Sequence, residues 1–146
     1  MKKHIRMICI LLVICLVLAF PVSAENGSQT WASLYFAAHS CYLYKVDSST
    51  FYICFDVTAT ASVMQELGVS SIEVERSADG VNWSVIRTYD ADDYPQMMAE
   101  NAVTHQGYIT YRYATPGHYY RAYITFYAKN SNGIGERCRY TAVMEM

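Results

Sequence analysis

Catalytic signatures are missing from this chain. It contains no G-x-S-x-G nucleophile elbow, no H-E-x-x-H zinc helix and no glycine loop that would cradle a phosphate. His39, His105 and His118 are scattered, and no cysteine spacing resembles a zinc knuckle or a redox C-x-x-C pair. Basic charge is also scarce. Three of the 11 Lys and Arg fall in the first 24 residues, leaving eight against 13 Asp and Glu, a net −5. That balance favours solubility and argues against nucleic acid or an anionic membrane as partner. No internal repeat, no low-complexity tract and no second long apolar run follows residue 24. Enzymatic activity and a bound cofactor are therefore not expected.

The N-terminus reads as an export signal. Lys2, Lys3, His4 and Arg6 form a basic start, Met7–Phe20 is an apolar stretch of 14 residues, and Pro21-Val22-Ser23-Ala24 supplies small residues for cleavage before Glu25. A membrane span needs about 20 apolar residues, so this run is short for an anchor. The expectation is residues 1–24 as signal peptide, residues 25–146 as one secreted domain, and no membrane association after cleavage. A 122-residue body buries enough surface to fold without disulfides.

Three cysteines remain in that body, so at least one stays outside any intramolecular bridge. Cys41 and Cys54 fall on neighbouring predicted strands and are the pair a disulfide would join, while Cys138 is expected as a free thiol on the last strand. All 14 tyrosines lie in the body. Such density suits twisted sheets, where aromatics pair across strands, and ligand surfaces, because tyrosine joins an apolar ring to a polar tip.

Period-2 alternation dominates the body. From His118 to Asn130, Ala122, Ile124, Phe126 and Ala128 point one way, and Tyr119, Arg121, Tyr123, Thr125, Tyr127 and Lys129 the other. Gln106–Tyr113 is the strand before it, reached through the corner Ala114-Thr115-Pro116-Gly117. Phe51–Thr60 alternates with Phe51, Ile53, Phe55 and Val57 inward. Trp31–Val46 reads as a first strand kinked near Ala38–Ser40, and Ser71–Ser77 and Val81–Tyr89 form a hairpin with Trp83 and Val85 on one face. Ser62-Val63-Met64-Gln65 has the form of a capping box and Leu67-Gly68 that of a stop, which predicts one helical turn there. Asp90–His105 reads as a long loop in which Pro95 opens a helical turn, and Glu136–Glu145 as the closing strand.

Seven short strands at regular spacing predict an all-β antiparallel sandwich, with Trp83, Ile124 and Phe126 inside it. The detail resembles a fibronectin type III-like domain of the immunoglobulin-like class. Glu75-Arg76-Ser77-Ala78-Asp79-Gly80-Val81-Asn82-Trp83 looks like the bacterial form of one hairpin of that domain. Pro116-Gly117-His118-Tyr119-Tyr120 resembles the approach to its penultimate strand, with Tyr120 at the corner-tyrosine position, and Ala128–Gly133 resembles that strand's end and turn. The chain as a whole is similar to small secreted proteins of Gram-positive bacteria that carry this domain and little else. The resemblance implies fold and export, and no activity.

The outward row Tyr119, Arg121, Tyr123 and Tyr127 is the candidate binding face, for an extracellular glycan through ring stacking or for a protein. The competing reading is that Thr110 and Arg112 of the preceding strand cover these rings as cross-strand pairs. Asp90, Asp92 and Asp93, with Glu100, offer hard oxygens for calcium, but without the glycine and ligand spacing of a calcium loop, so no metal is expected. Cys41 shares a strand face with His39, which does not aim the imidazole at the thiol. The functional expectation is a non-catalytic binding module that uses the Tyr-rich face or the 90–105 loop. The alternative is a secreted effector, either an inhibitor or a toxin-like protein. An inhibitor would present a rigid projecting loop; a glycan binder would present clustered exposed rings.

Overall fold

The computed structural model describes residues 34–60 and 62–146, and the export signal and Trp31 lie outside them. Among the described residues the fold is all-β, with two antiparallel sheets packed face to face. The first sheet has the order β1-β2-β6, from Phe36–Lys45, Phe51–Ala59 and Thr104–Tyr111. The second has the order β4-β3-β7-β8, from Ser84–Asp90, Met64–Ser77, Tyr119–Asn130 and Gly133–Tyr140. Two short strands complete it: β5, Met98–Ala102, pairs with β3, and β9, Met144–Glu145, pairs with β7.

The alternation in β2 and β7 is borne out. Phe51, Ile53 and Val57 are wholly buried, as are Ala122, Ile124, Phe126 and Ala128, and the residues between them are half-exposed. These two rows face each other across the seam between the sheets, joined by Leu67, Val69, Ile72 and Val74 of β3. Each large apolar side chain so buried contributes about 1.5–3 kcal/mol.

Tight turns hold the strand register. Asp47 accepts hydrogen bonds from the Ser49 amide and hydroxyl at 2.7 and 3.0 Å, an Asx turn that closes the β1–β2 hairpin. In the β3–β4 hairpin Gly80 takes φ +73°, and Asp79 accepts from the amides of Val81 and Asn82 at 2.9 and 2.8 Å. Those amide donors, Asn82 first, hold the Asp79 carboxyl far below the usual carboxylate range.

Several expectations are corrected. The helical turn at Ser62–Gln65 does not form: Met64 already belongs to the 14-residue strand β3, which pairs with β5 on one side and β7 on the other. A bulge between Val69 and Ser71 breaks the period, so Leu67 and Val69 face inward before it and Ile72 and Val74 after it. The 90–105 segment is not irregular. A 3₁₀ turn at Pro95–Met97 is followed directly by β5, and Met97 is completely buried. Trp83 and Val85 do not enter the core. Strand β4 is a sheet edge, Val85 is exposed, and Trp83 is half-buried on the outer face.

The strands β6 and β7 are not partners either, because the corner between them carries the chain from one sheet to the other. Thr110 and Arg112 therefore cannot cover the β7 rings. At that corner Tyr120 is wholly buried, and its hydroxyl accepts a hydrogen bond from the Thr115 amide at 2.7 Å. Met146 braces the same corner, accepting from the Gly117 amide and donating to the His118 carbonyl. The closing strand begins at Gly133, earlier than expected, and is interrupted after Tyr140.

His39 of β1 points inward and is poorly provided for. Its Nδ1 is buried without a hydrogen-bond partner, its ring centroid lies 4.9 Å from that of Phe126 and 6.1 Å from that of Phe36, and Arg139 and Arg137 of β8 are the charges nearest it. Desolvation first, and then the two guanidiniums, lower its pKa below 6.5. The unfolded chain then binds the His39 proton more readily than the folded one. Stability is therefore complete above pH 6.5 and declines as pH falls from there toward the lowered folded value. Urea denaturation of wild type and of His39→Leu across pH 7.5 to 5 should show a decline in the wild type that the variant lacks. Parallel curves would show that His39 carries no such linkage.

Candidate functional site: two outer aromatic faces

The predicted row Tyr119, Arg121, Tyr123 and Tyr127 does line one outer face of the second sheet, as strand periodicity requires. Its neighbours are β3 and β8, and they engage it heavily. Arg121 Nε donates to Glu75 at 2.6 Å, and the guanidinium lies between two rings, 4.2 Å from the Trp83 centroid and 4.3 Å from that of Tyr140. The Tyr140 hydroxyl donates to the other Glu75 oxygen at 3.2 Å, and the Tyr123 ring packs on Tyr140 at 4.7 Å. Burial first, and then the Glu75 carboxylate, push the Tyr140 hydroxyl pKa up. A cation between two aromatic faces gains about 0.5–2 kcal/mol, and the ion pair fixes its angle. Arg121, Glu75, Trp83 and Tyr140 therefore satisfy one another, with Tyr123 packed on Tyr140, and this face is a structural cluster before it is a binding surface. Tyr127 stands apart, beside the 2.6 Å Lys129–Glu66 pair.

Asp90, Asp92 and Glu100 line a hollow with Glu66 and Tyr127, while Asp93 is not among its walls. Among the described residues no three His, Cys, Asp or Glu side chains are grouped closely enough to hold a metal ion. The proposed Cys41–Cys54 bridge is not formed. Cys41 pairs with Phe55 and Cys54 with Tyr42, so the two thiols point to opposite faces of the sheet. Burial raises the Cys41 thiol pKa, which keeps it protonated beside His39 and unsuited to nucleophilic attack. Cys138 is a free, exposed thiol on β8, as expected.

The open aromatic surface lies on the other sheet. Along β1, Tyr42 and Tyr44 face outward with 55% and 58% of their surface exposed, and on β6 Tyr108 is 56% exposed. The ring of Tyr52, on the central strand, bridges them, 6.2 Å from Tyr44 and 4.7 Å from Tyr108. Register produces this grouping: Tyr44 pairs with Tyr52 and Thr110, and Tyr42 with Cys54 and Tyr108, in two adjacent rows across three strands. In the next row Gln106 donates to the Asp56 carboxylate at 2.5 Å. Beyond the β6 edge the face runs into a hollow walled by Tyr94, Gln96, Gln106, Tyr108 and Thr110. Sequence reasoning missed this platform, although a signal was present. Tyr42 and Tyr44 alternate along their strand with core-facing Cys41 and Leu43, Tyr52 lies between buried Phe51 and Ile53, and the short turn at Asp47–Ser49 dictates that they meet.

No protein-family model matches the chain. No curated protein sequence matches it either. Among solved structures, a crystal structure of a protein from Archaeoglobus fulgidus aligns with a TM-score of 0.36 at 8% identity, over 76% of this chain and 97% of that one. Similarity at that level carries no argument about function.

Proposed function

We propose that residues 25–146 act outside the cell as a non-catalytic, fibronectin type III-like module that binds a glycan on the outer face of the sheet β1-β2-β6. The leader at residues 1–24 supports export. The three-stranded sheet facing the path β4-β3-β7-β8, which short β5 and β9 extend, and a buried Tyr120 that bonds back across the crossing from β6 to β7, support the domain type. One observation carries the functional reading: Tyr42, Tyr44 and Tyr108, each more than half exposed, share one sheet face with Tyr52, whose ring lies against those of Tyr44 and Tyr108. Sugar rings stack their C–H faces on such side chains while phenolic hydroxyls bond the sugar hydroxyls, and tyrosine gives up little side-chain freedom on binding.

The same geometry weighs against an inhibitor. The 90–105 segment does not project but is tied down by buried Met97 and by β5 pairing with β3. A glycan array followed by calorimetry on its strongest hit tests the reading. Tyr44→Ala/Tyr52→Ala/Tyr108→Ala should weaken that interaction at least about a hundredfold, with circular dichroism unchanged, because central aromatics dominate most interfaces. An array without hits, or a triple variant that binds like wild type, would end it.

A further inference from the structure

We infer that the ligand of this face is an uncharged, extended polysaccharide that crosses the three strands and continues past the sheet edge into the hollow beside β6; this rests on the glycan reading above. Charge is the first ground. The two successive rows under the platform, Tyr42-Cys54-Tyr108 and Tyr44-Tyr52-Thr110, hold no ionised side chain in register. At the border Asp56 accepts the Gln106 amide, Arg87 donates to the Tyr94 hydroxyl at 3.2 Å while lying over the Tyr89 ring, and Arg112, two residues past Thr110, is exposed outside the two rows. A uronate or sulfated chain would find no guanidinium or ammonium within these two rows, and desolvating its anions there would cost affinity.

Geometry is the second ground. The centroids of Tyr44, Tyr52 and Tyr108 step across the strands at 6.2 and 4.7 Å, close to the spacing of successive pyranose rings in an extended chain. A single sugar would use one step and leave the others bare. The row also does not stop at the sheet edge. Thr110 and Tyr108 are shared between the platform and the hollow, whose far wall brings Tyr94 and Gln96. Those side chains are neutral donors and acceptors, suited to hydroxyl or acetamido groups. The Gln96 carbonyl is held by the His105 ring at 3.1 Å, which fixes the backbone and leaves the side-chain amide for a ligand.

Calorimetry with cello- and chito-oligosaccharides from dimer to hexamer, and with oligogalacturonate as the charged comparison, tests the inference. Affinity should climb with each added unit and then level off once the track is filled, and oligogalacturonate should not compete. Tyr52→Ala should weaken every oligomer about tenfold or more. Gln96→Ala, a change at an exposed side chain, should weaken only the longer ones, by about fivefold. Length-independent affinity, equal uptake of oligogalacturonate, or a hexamer indifferent to Gln96→Ala would overturn the extended track while leaving a tyrosine-dependent glycan site standing. Failure of the wild type to bind any oligomer would overturn the track, and an array without hits would overturn the glycan reading with it.

Discussion

Gly68→Ala should cost the fold about 3 kcal/mol, at the upper end of what one added methyl does to a packed interior. Gly68 is buried in β3, paired with Met98 of β5 on one side and Tyr127 of β7 on the other. A methyl group there would run into the Met97 carbonyl oxygen and lie 2.9 Å from the Met98 Cα, both backbone atoms with no rotamer to change. The glycine is required by the closeness of a neighbouring chain and not by an unusual φ. The strain has one outlet, which is release of the 3₁₀ turn and β5, and that would pull wholly buried Met97 from the core. Hydrogen exchange should show the amides of Met98–Ala102 losing protection first, and urea denaturation should report the loss of stability. Wild-type protection and stability in the alanine variant would show that this segment does not pack on β3.

That segment illustrates where the sequence is silent. Met98-Ala99-Glu100-Asn101-Ala102 has poor intrinsic strand propensity, and it is a strand only because β3 offers an unpaired edge and Gly68 lets it approach. Strand β3 was hidden for a related reason. Buried positions at Leu67 and Val69 and then at Ile72 and Val74 do not keep period 2, because a bulge inserts an extra residue between the two pairs. By contrast β2 and β7 were plain, since each has one face against the core throughout and neither is bulged. Trp83 misled because an indole reads as core. Its flat face instead serves a guanidinium on the outside of the sheet, a relation set by the β3–β4 hairpin and not by hydrophobicity.

The candidate site divides the same way. Outward placement of Tyr123, Tyr127 and Arg121 followed from alternation alone, yet whether those rings are free depends on which strands flank β7. Flanking is a property of topology, and the crossing at residues 114–117 reassigned it. Glu75 and Tyr140 close that face, whereas β1, β2 and β6 leave theirs open because the rows opposite Tyr44 and Tyr108 hold only tyrosine, cysteine and threonine. One strand, β6, supplies both a platform ring, Tyr108, and core residues Ile109 and Tyr111. The surface is thus as rigid as the interior beneath it, which lowers the entropy lost when a ligand settles on it.

The same coupling of interior and crossing makes Tyr120 the second site of large effect. Its ring is wholly buried, with the Phe51 centroid at 5.3 Å and that of Tyr111 at 6.1 Å, so this second-sheet ring packs on two strands of the first. Tyr120→Ala should cost about 3–5 kcal/mol, the usual range for deleting a core aromatic. Tyr120→Phe keeps the ring and removes only the acceptor for the Thr115 amide. Because Thr115 is itself exposed, water replaces part of what is lost, and the cost should fall to about 1 kcal/mol. The two variants separate packing from corner closure. Exchange at the Thr115 amide should quicken in the phenylalanine variant while the β7 amides hold. If Tyr120→Phe matched wild type in both stability and Thr115 exchange, the hydroxyl would be a bystander, and packing alone would turn the chain from one sheet to the other.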